Sequence, residues 1–92
     1  MSNQDVTKKE YYDAMSRLLT RYMERENITI SKLATRVKLS FRTIQSILKG
    51  RPFYAHQFIW IEEETGITSH AIIKEARGGK EKQKETKLSE FI

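Results

Sequence analysis

Apolar positions along the chain recur at spacings of three and four, the period of a helix with one buried side, and strand-type alternation is weak throughout. Between Thr7 and Asn27 the stripe is Tyr11, Met15, Leu18 or Leu19, and Tyr22. Thr7 with Glu10 at N3 has the form of a capping box, which starts a helix there, and the polar run Glu24-Arg25-Glu26 leads to a stop at Asn27. Thr29 reads as the next N-cap and opens a short helix from Ile30 to Val37, with Leu33, Ala34 and Val37 on its inner face. Lys38 and Leu39 make a tight turn. Ser40 caps a third helix, Phe41 to Lys49, with Ile44, Ile47 and Leu48 inward, and Gly50 and Pro52 end it. A fourth helix from about Tyr54 to Thr65 closes at Gly66; Tyr54, Phe58, Ile61 and Thr65 line one side, while Ile59 and Trp60 spread apolar surface around much of its girth. Ile67 anchors a connector, and Thr68 or Ser69 caps a last helix ending near Arg77, before the pair Gly78-Gly79.

The pattern predicts an all-α fold: one compact domain of about five helices over residues 7–78, after a flexible lead-in at 1–6 and before a charged tail at 79–92. The tail mixes Lys with Glu and Gln, then ends on Leu88, Phe91 and Ile92. It reads either as a solvated extension or as a tether whose apolar end folds onto a protein partner. Trp60 points away from the side holding Phe58 and Ile61, so either the N-terminal helix or tail covers it, or a second subunit does.

Composition narrows the function classes. Ninety-two residues suffice for one modest core, and a hydrophobic share of 38% beside 32% charge leaves part of the chain solvated. The absence of cysteine excludes disulfides, iron–sulfur clusters and thiol catalysis. No apolar run approaches the roughly 18 residues of a membrane span, and the opening residues lack a signal-peptide core, so a soluble, cytoplasmic protein is expected. His56 and His70 have neither a cysteine nor an HExxH spacing for company, so no zinc or other cofactor is expected. Glu62, Glu63 and Glu64 diverge by about 100° per residue on a helix and read as a solvated acidic turn rather than a carboxylate pair. No nucleophile elbow or phosphate-cradling glycine loop occurs; neither an enzyme nor a small-molecule site is predicted.

Charge is distributed unevenly. Between Asn27 and Ile61 there is no Asp or Glu, yet Lys32, Arg36, Lys38, Arg42, Lys49 and Arg51 lie there. The net charge of +5 therefore resides in this stretch, since the other 11 of 17 basic residues face all 12 acids. Such a segment is either a solvated basic face or a seat for a polyanion.

Two short helices joined by a tight turn form the unit that places its second helix in the DNA major groove. That helix needs an apolar inner face and an outer face able to reach base edges. Ile44, Ile47 and Leu48 supply the first; Phe41, Arg42 and Gln45, on the opposite side, supply the second, and Lys49 continues that side.

The stretch from Ile28 to Gly50 resembles the lambda repressor/Cro-like helix-turn-helix family. The residues that carry the resemblance are Thr29, Leu33-Ala34, Leu39-Ser40, Thr43-Ile44, Ile47 and Gly50, with a weaker likeness over Tyr11–Ala76 that includes Gly66-Ile67-Thr68. Two positions depart from that pattern: Ile30 stands where the family usually has Gln, and Lys38 where the turn usually has Gly. The resemblance implies a lambda repressor-like fold with a central helix-turn-helix and a sequence-specific regulator of transcription, a repressor of phage, mobile-element or plasmid type. It would bind double-stranded DNA as a homodimer. Phe41, Arg42 and Gln45 would read bases, while Lys32, Arg36, Thr43, Lys49, Arg51, Tyr54 and His56 would hold phosphates. Trp60, Leu88, Phe91 and Ile92 are the candidate dimer or partner contacts. The alternative is an antitoxin-type or protein-interaction module, in which the same scaffold or the tail binds a protein.

Overall fold

A computed structural model describes residues 6–78 of the chain, and among them there are helices and no strands. The helices are α1 (Lys8–Glu26), α2 (Ile30–Val37), α3 (Phe41–Leu48), α4 (Ala55–Thr65) and α5 (residues 69–78, the last of them the end of the described chain). The first three begin alike. The side-chain oxygens of Thr7, Thr29 and Ser40 accept the N–H of Glu10, Lys32 and Thr43 at 3.1, 3.1 and 3.0 Å. Each satisfies one of the donors that a helix start leaves without a partner. At Thr7 the box is reciprocal, because the Glu10 carboxylate accepts the Thr7 N–H at 2.9 Å.

They also end alike. Asn27, Lys38 and Gly50 have φ of 56°, 60° and 83°. The following N–H groups reach back to Met23, Ala34 and Ser46 carbonyls at 3.1, 3.0 and 3.2 Å, the Schellman closure. Lys38 keeps the left-handed turn without being glycine, at a cost of about 1–2 kcal/mol. Gly50 has a second reason to lack a side chain: a Cβ there would lie 2.5 Å from Asp13 Oδ1 of α1. At the start of α4 the Gln57 carboxamide accepts the Tyr54 N–H at 2.9 Å, and Thr68 Oγ1 caps α5 through Ala71 N–H at 3.0 Å.

Each helix contributes a fully buried side chain to one core: Met15 and Leu19 from α1, Leu33 from α2, Ile44 from α3, Ile61 from α4 and Ile72 from α5. α3 rests on both α1 and α2, and α2 also meets α4. The structure decides between Leu18 and Leu19, which the spacing leaves open, and sets Leu48 and Tyr54 differently from the sequence pattern. Leu19 rather than Leu18 takes the inner position of α1, with Ala14 beside it, because the buried face is centred between Met15 and Leu19. Leu48 is only partly buried. Tyr54 is 69% exposed; it is the residue before α4, outside the helix, so its spacing to Phe58 does not set its direction. Val6 packs against the core, so packing reaches one residue ahead of Thr7 into the expected lead-in. The remaining lead-in, 1–5, and the tail expectations at 79–92, including Leu88, Phe91 and Ile92, fall outside the described residues. Among the described residues no helix is long and apolar enough to cross a membrane.

α5 is tied to α1 by polar contacts as well as by Ile72 and Ala76. Tyr11 and Ser69 hydroxyls lie 3.2 Å apart, and Glu75 Oε2 accepts from Arg17 Nε at 2.9 Å and from an Arg21 guanidinium nitrogen at 2.6 Å. Burial of the Glu75 carboxyl works against its ionisation, but the hydrogen bonds and charges of Arg21 and Arg17 outweigh it and hold the pKa below its ordinary value of 4.5. A depressed carboxylate stabilises the fold fully above its unfolded pKa, and that contribution is lost as pH falls through the lower folded value. The melting temperature followed by circular dichroism is therefore expected to hold from neutral pH to about pH 5.5 and to fall below it. Glu75→Gln should lower it at neutral pH and shrink the acid loss. An equal acid loss in wild type and variant would show that the Glu75 pair contributes nothing.

Candidate nucleic-acid interface

α3 is an eight-residue helix held from three sides. Ile44 and Ile47 are buried against the core, the Ser40 cap fixes its start, and Ser16 Oγ of α1 donates to the Leu48 carbonyl near its end at 2.5 Å. Its opposite side is left to solvent and carries Phe41, which is 47% exposed, with Arg42, Gln45 and Lys49 also exposed. A helix anchored in this way presents those side chains at fixed positions, which is what recognition of a shaped, charged surface requires.

Beside this row lies a cleft of about 240 Å³ between α3 and the start of α4. Arg42, Thr43 and Ser46 line one wall, and Pro52, Tyr54 and Gln57 the other. The segment that makes the second wall is fixed by Phe53, whose ring lies 5.2 Å from Tyr12, 6.3 Å from Tyr11 and 5.8 Å from Phe58. Offset and edge-on rings at these separations hold one another, so α1 sets the position of Tyr54 and Gln57 through a residue that never faces the cleft.

Of the residues singled out from sequence, the structure gathers Arg42, Thr43 and Tyr54 at the cleft. Phe41, Gln45 and Lys49 share the exposed side of α3 without lining it, Arg51 is exposed in the following connection, and Lys32 is exposed on α2. Three of the phosphate candidates have other company. Arg36 lies 3.9 Å from Glu26 at the end of α1, and the Thr43 hydroxyl is 2.8 Å from Ser40 Oγ, within the cap of α3. The His56 ring stacks at 6.0 Å on Tyr54 and meets the Trp60 ring edge-on at 5.6 Å, without itself lining the cleft.

Ser46, Pro52 and Gln57 were not legible as site residues. Ser46 had a signal, since it follows Arg42 by four and shares its side of the helix. Gln57 is placed by its capping bond, which only the fold reveals. The stretch without acids along the chain is also not without acids in space: α1 brings Asp13 against Gly50 and Glu26 against Arg36. Asp13 is paired with Lys9 at 3.0 Å and Glu26 with Arg36, so both carboxylates are partly compensated and the exposed side of α3 keeps its positive sign.

No protein-family model, curated protein or solved structure matches the chain, so the functional reading rests on these residues and their geometry.

Proposed function

We propose that the chain is a sequence-specific double-stranded DNA-binding regulator of transcription that represses by occupying its site. The α2–turn–α3 pair serves as a helix-turn-helix, with α3 in the major groove and α2 crossing the backbone. The observation that carries this reading is the exposed row Phe41, Arg42, Gln45 and Lys49, mounted on a helix whose other side is buried and flanked by a cleft that Arg42 itself lines. Arg42 offers the bidentate donor pair that guanine accepts, and Gln45 the donor and acceptor that match adenine. Phe41 contacts a thymine methyl or sugar. Lys49, Arg51, Lys32 and Tyr54 lie where phosphates flank an inserted helix, and Arg36 joins them by exchanging Glu26 for a phosphate. A single small module covers little DNA, so two copies act together on neighbouring half-sites.

A second reading has one observation of its own. Phe41 puts an apolar ring at the head of α3, and Ile30, where the resembled family has a polar Gln, packs against the core, features that suit an antitoxin-type or other protein-binding module. The exposed basic residues Lys32, Arg42, Lys49 and Arg51 favour DNA.

Salt separates the two. Anisotropy titration of a labelled duplex at 50 and 200 mM salt should show affinity falling by roughly 10²–10³-fold, as expected when about four to five phosphates are neutralised and their counterions released. An affinity that barely moves with salt would leave the protein-binding reading standing and remove this one.

A further inference from the structure

α4 carries a stripe that neither the core nor the cleft uses. His56, Ile59, Trp60 and Glu63 follow one another at i, i+3, i+4 and i+7, all exposed, on the side opposite the buried Ile61. Ile59 is 51% and Trp60 41% exposed, an apolar centre with a polar residue at each end. The two ends differ in sign. Just before the stripe stands Arg51, in the acid-free segment, and at its close stand Glu62, Glu63 and Glu64.

We propose that this stripe is the contact between two copies of the chain, paired antiparallel about a two-fold axis that passes between Ile59 and Trp60. Antiparallel pairing about that point sets Ile59 on the partner's Trp60, and His56 on the partner's Glu63, each contact occurring twice. Unlike ends then meet and the helix dipoles oppose, whereas a parallel pair would set acidic end on acidic end. Tyr54 and Trp60 hold the His56 ring between them, so it is presented in place for that contact. His56 thereby belongs to the partner surface rather than to the phosphate set.

The stripe is small. Four residues of one helix bury on the order of 300 Å² per copy, under half of the roughly 800 Å² per partner of a stable complex. The pair is therefore weak alone. It closes on a duplex, where neighbouring half-sites hold two copies at an effective concentration of about a millimolar. This rests on the two-copy part of the proposed function, but its test needs no DNA, so it stands or falls separately.

The chain has no cysteine, so introduced thiols report cleanly. In the antiparallel register residue 56 and the partner's residue 63 are level, while residue 56 and its own counterpart are offset by about 10 Å along the helices, beyond the roughly 7 Å that a disulfide spans. Full-length His56→Cys and Glu63→Cys are oxidised at about 100 μM, separately and mixed. The mixture is expected to give a disulfide-linked dimer at least fivefold more abundant than either protein alone, and Trp60→Asp in both partners is expected to reduce that yield tenfold with unchanged helicity. No cross-link in the mixture, equal linking of each protein with itself, or a yield indifferent to Trp60→Asp would each overturn the proposal. A chain that stays monomeric because its own residues or another protein cover the stripe gives the first of these results.

Discussion

Arg42→Ala is expected to lower affinity for the preferred duplex by about 5- to 150-fold, the 1–3 kcal/mol that one bidentate base contact supplies, and to relax preference at a single base-pair position. Arg42 is exposed on the outer side of α3 and lines the cleft, while no acidic side chain contacts it at ion-pair distance among the described residues. Its removal therefore leaves the core and every capping bond in place, and the loss is one of recognition. Lys49→Ala serves as the contrast. It stands at the C-terminal boundary of α3, and its proposed role is a phosphate contact, so its loss should weaken binding to all sequences alike and reduce the salt slope by about one. Titrating both variants against the preferred duplex and its single-base variants checks the division. Equal losses on every sequence for both proteins would mean that Arg42 reads no base.

The largest expected effect on stability is that of Ile44→Ala. Ile44 is fully buried on the inner side of α3, the helix that packs on both α1 and α2, so truncation opens a cavity where three elements meet. Such a change costs about 2–5 kcal/mol, against a total of about 4–11 kcal/mol for a domain of this size. The urea midpoint should fall by roughly a fifth or more with the slope of the transition unchanged, and DNA binding should fall with the folded fraction. The neighbouring Gln45→Ala is the control: exposed, it should shift stability by less than about 0.5 kcal/mol while still altering base preference. A small shift at Ile44 would mean that α3 is held by its caps rather than by the core.

Much of the fold is legible along the chain because the signals are local. Thr7, Thr29 and Ser40 each cap a helix through a residue three positions on, and after Asn27 and Gly50 the next N–H closes the helix on a carbonyl five positions back, within reach of any reading of spacing. The inner faces of α2 and α3 follow from the same period. What is not legible is what distant residues do to one another. Nothing near Phe53 announces that it meets Tyr11 and Tyr12, and nothing near Glu75 announces Arg17 and Arg21. The charge pattern along the chain is incomplete for the same reason, since Asp13 and Glu26 come to the basic stretch from another helix. For the candidate site, the exposed row on α3 is readable, but the second wall of its cleft depends on how α1 grips the connection to α4. The spacing that sets Tyr54 on one side with Phe58 and Ile61 does not apply to a cap residue, and Tyr54 is exposed.

The central claim is that this chain reads DNA sequence, and selection of bound duplexes from a random library, followed by titration of the winners, tests it most directly. A shared motif of two half-sites is expected, bound at least about 10³-fold more tightly than scrambled duplex at the same salt. Recovered duplexes with no common sequence, bound no better than scrambled DNA, would contradict it.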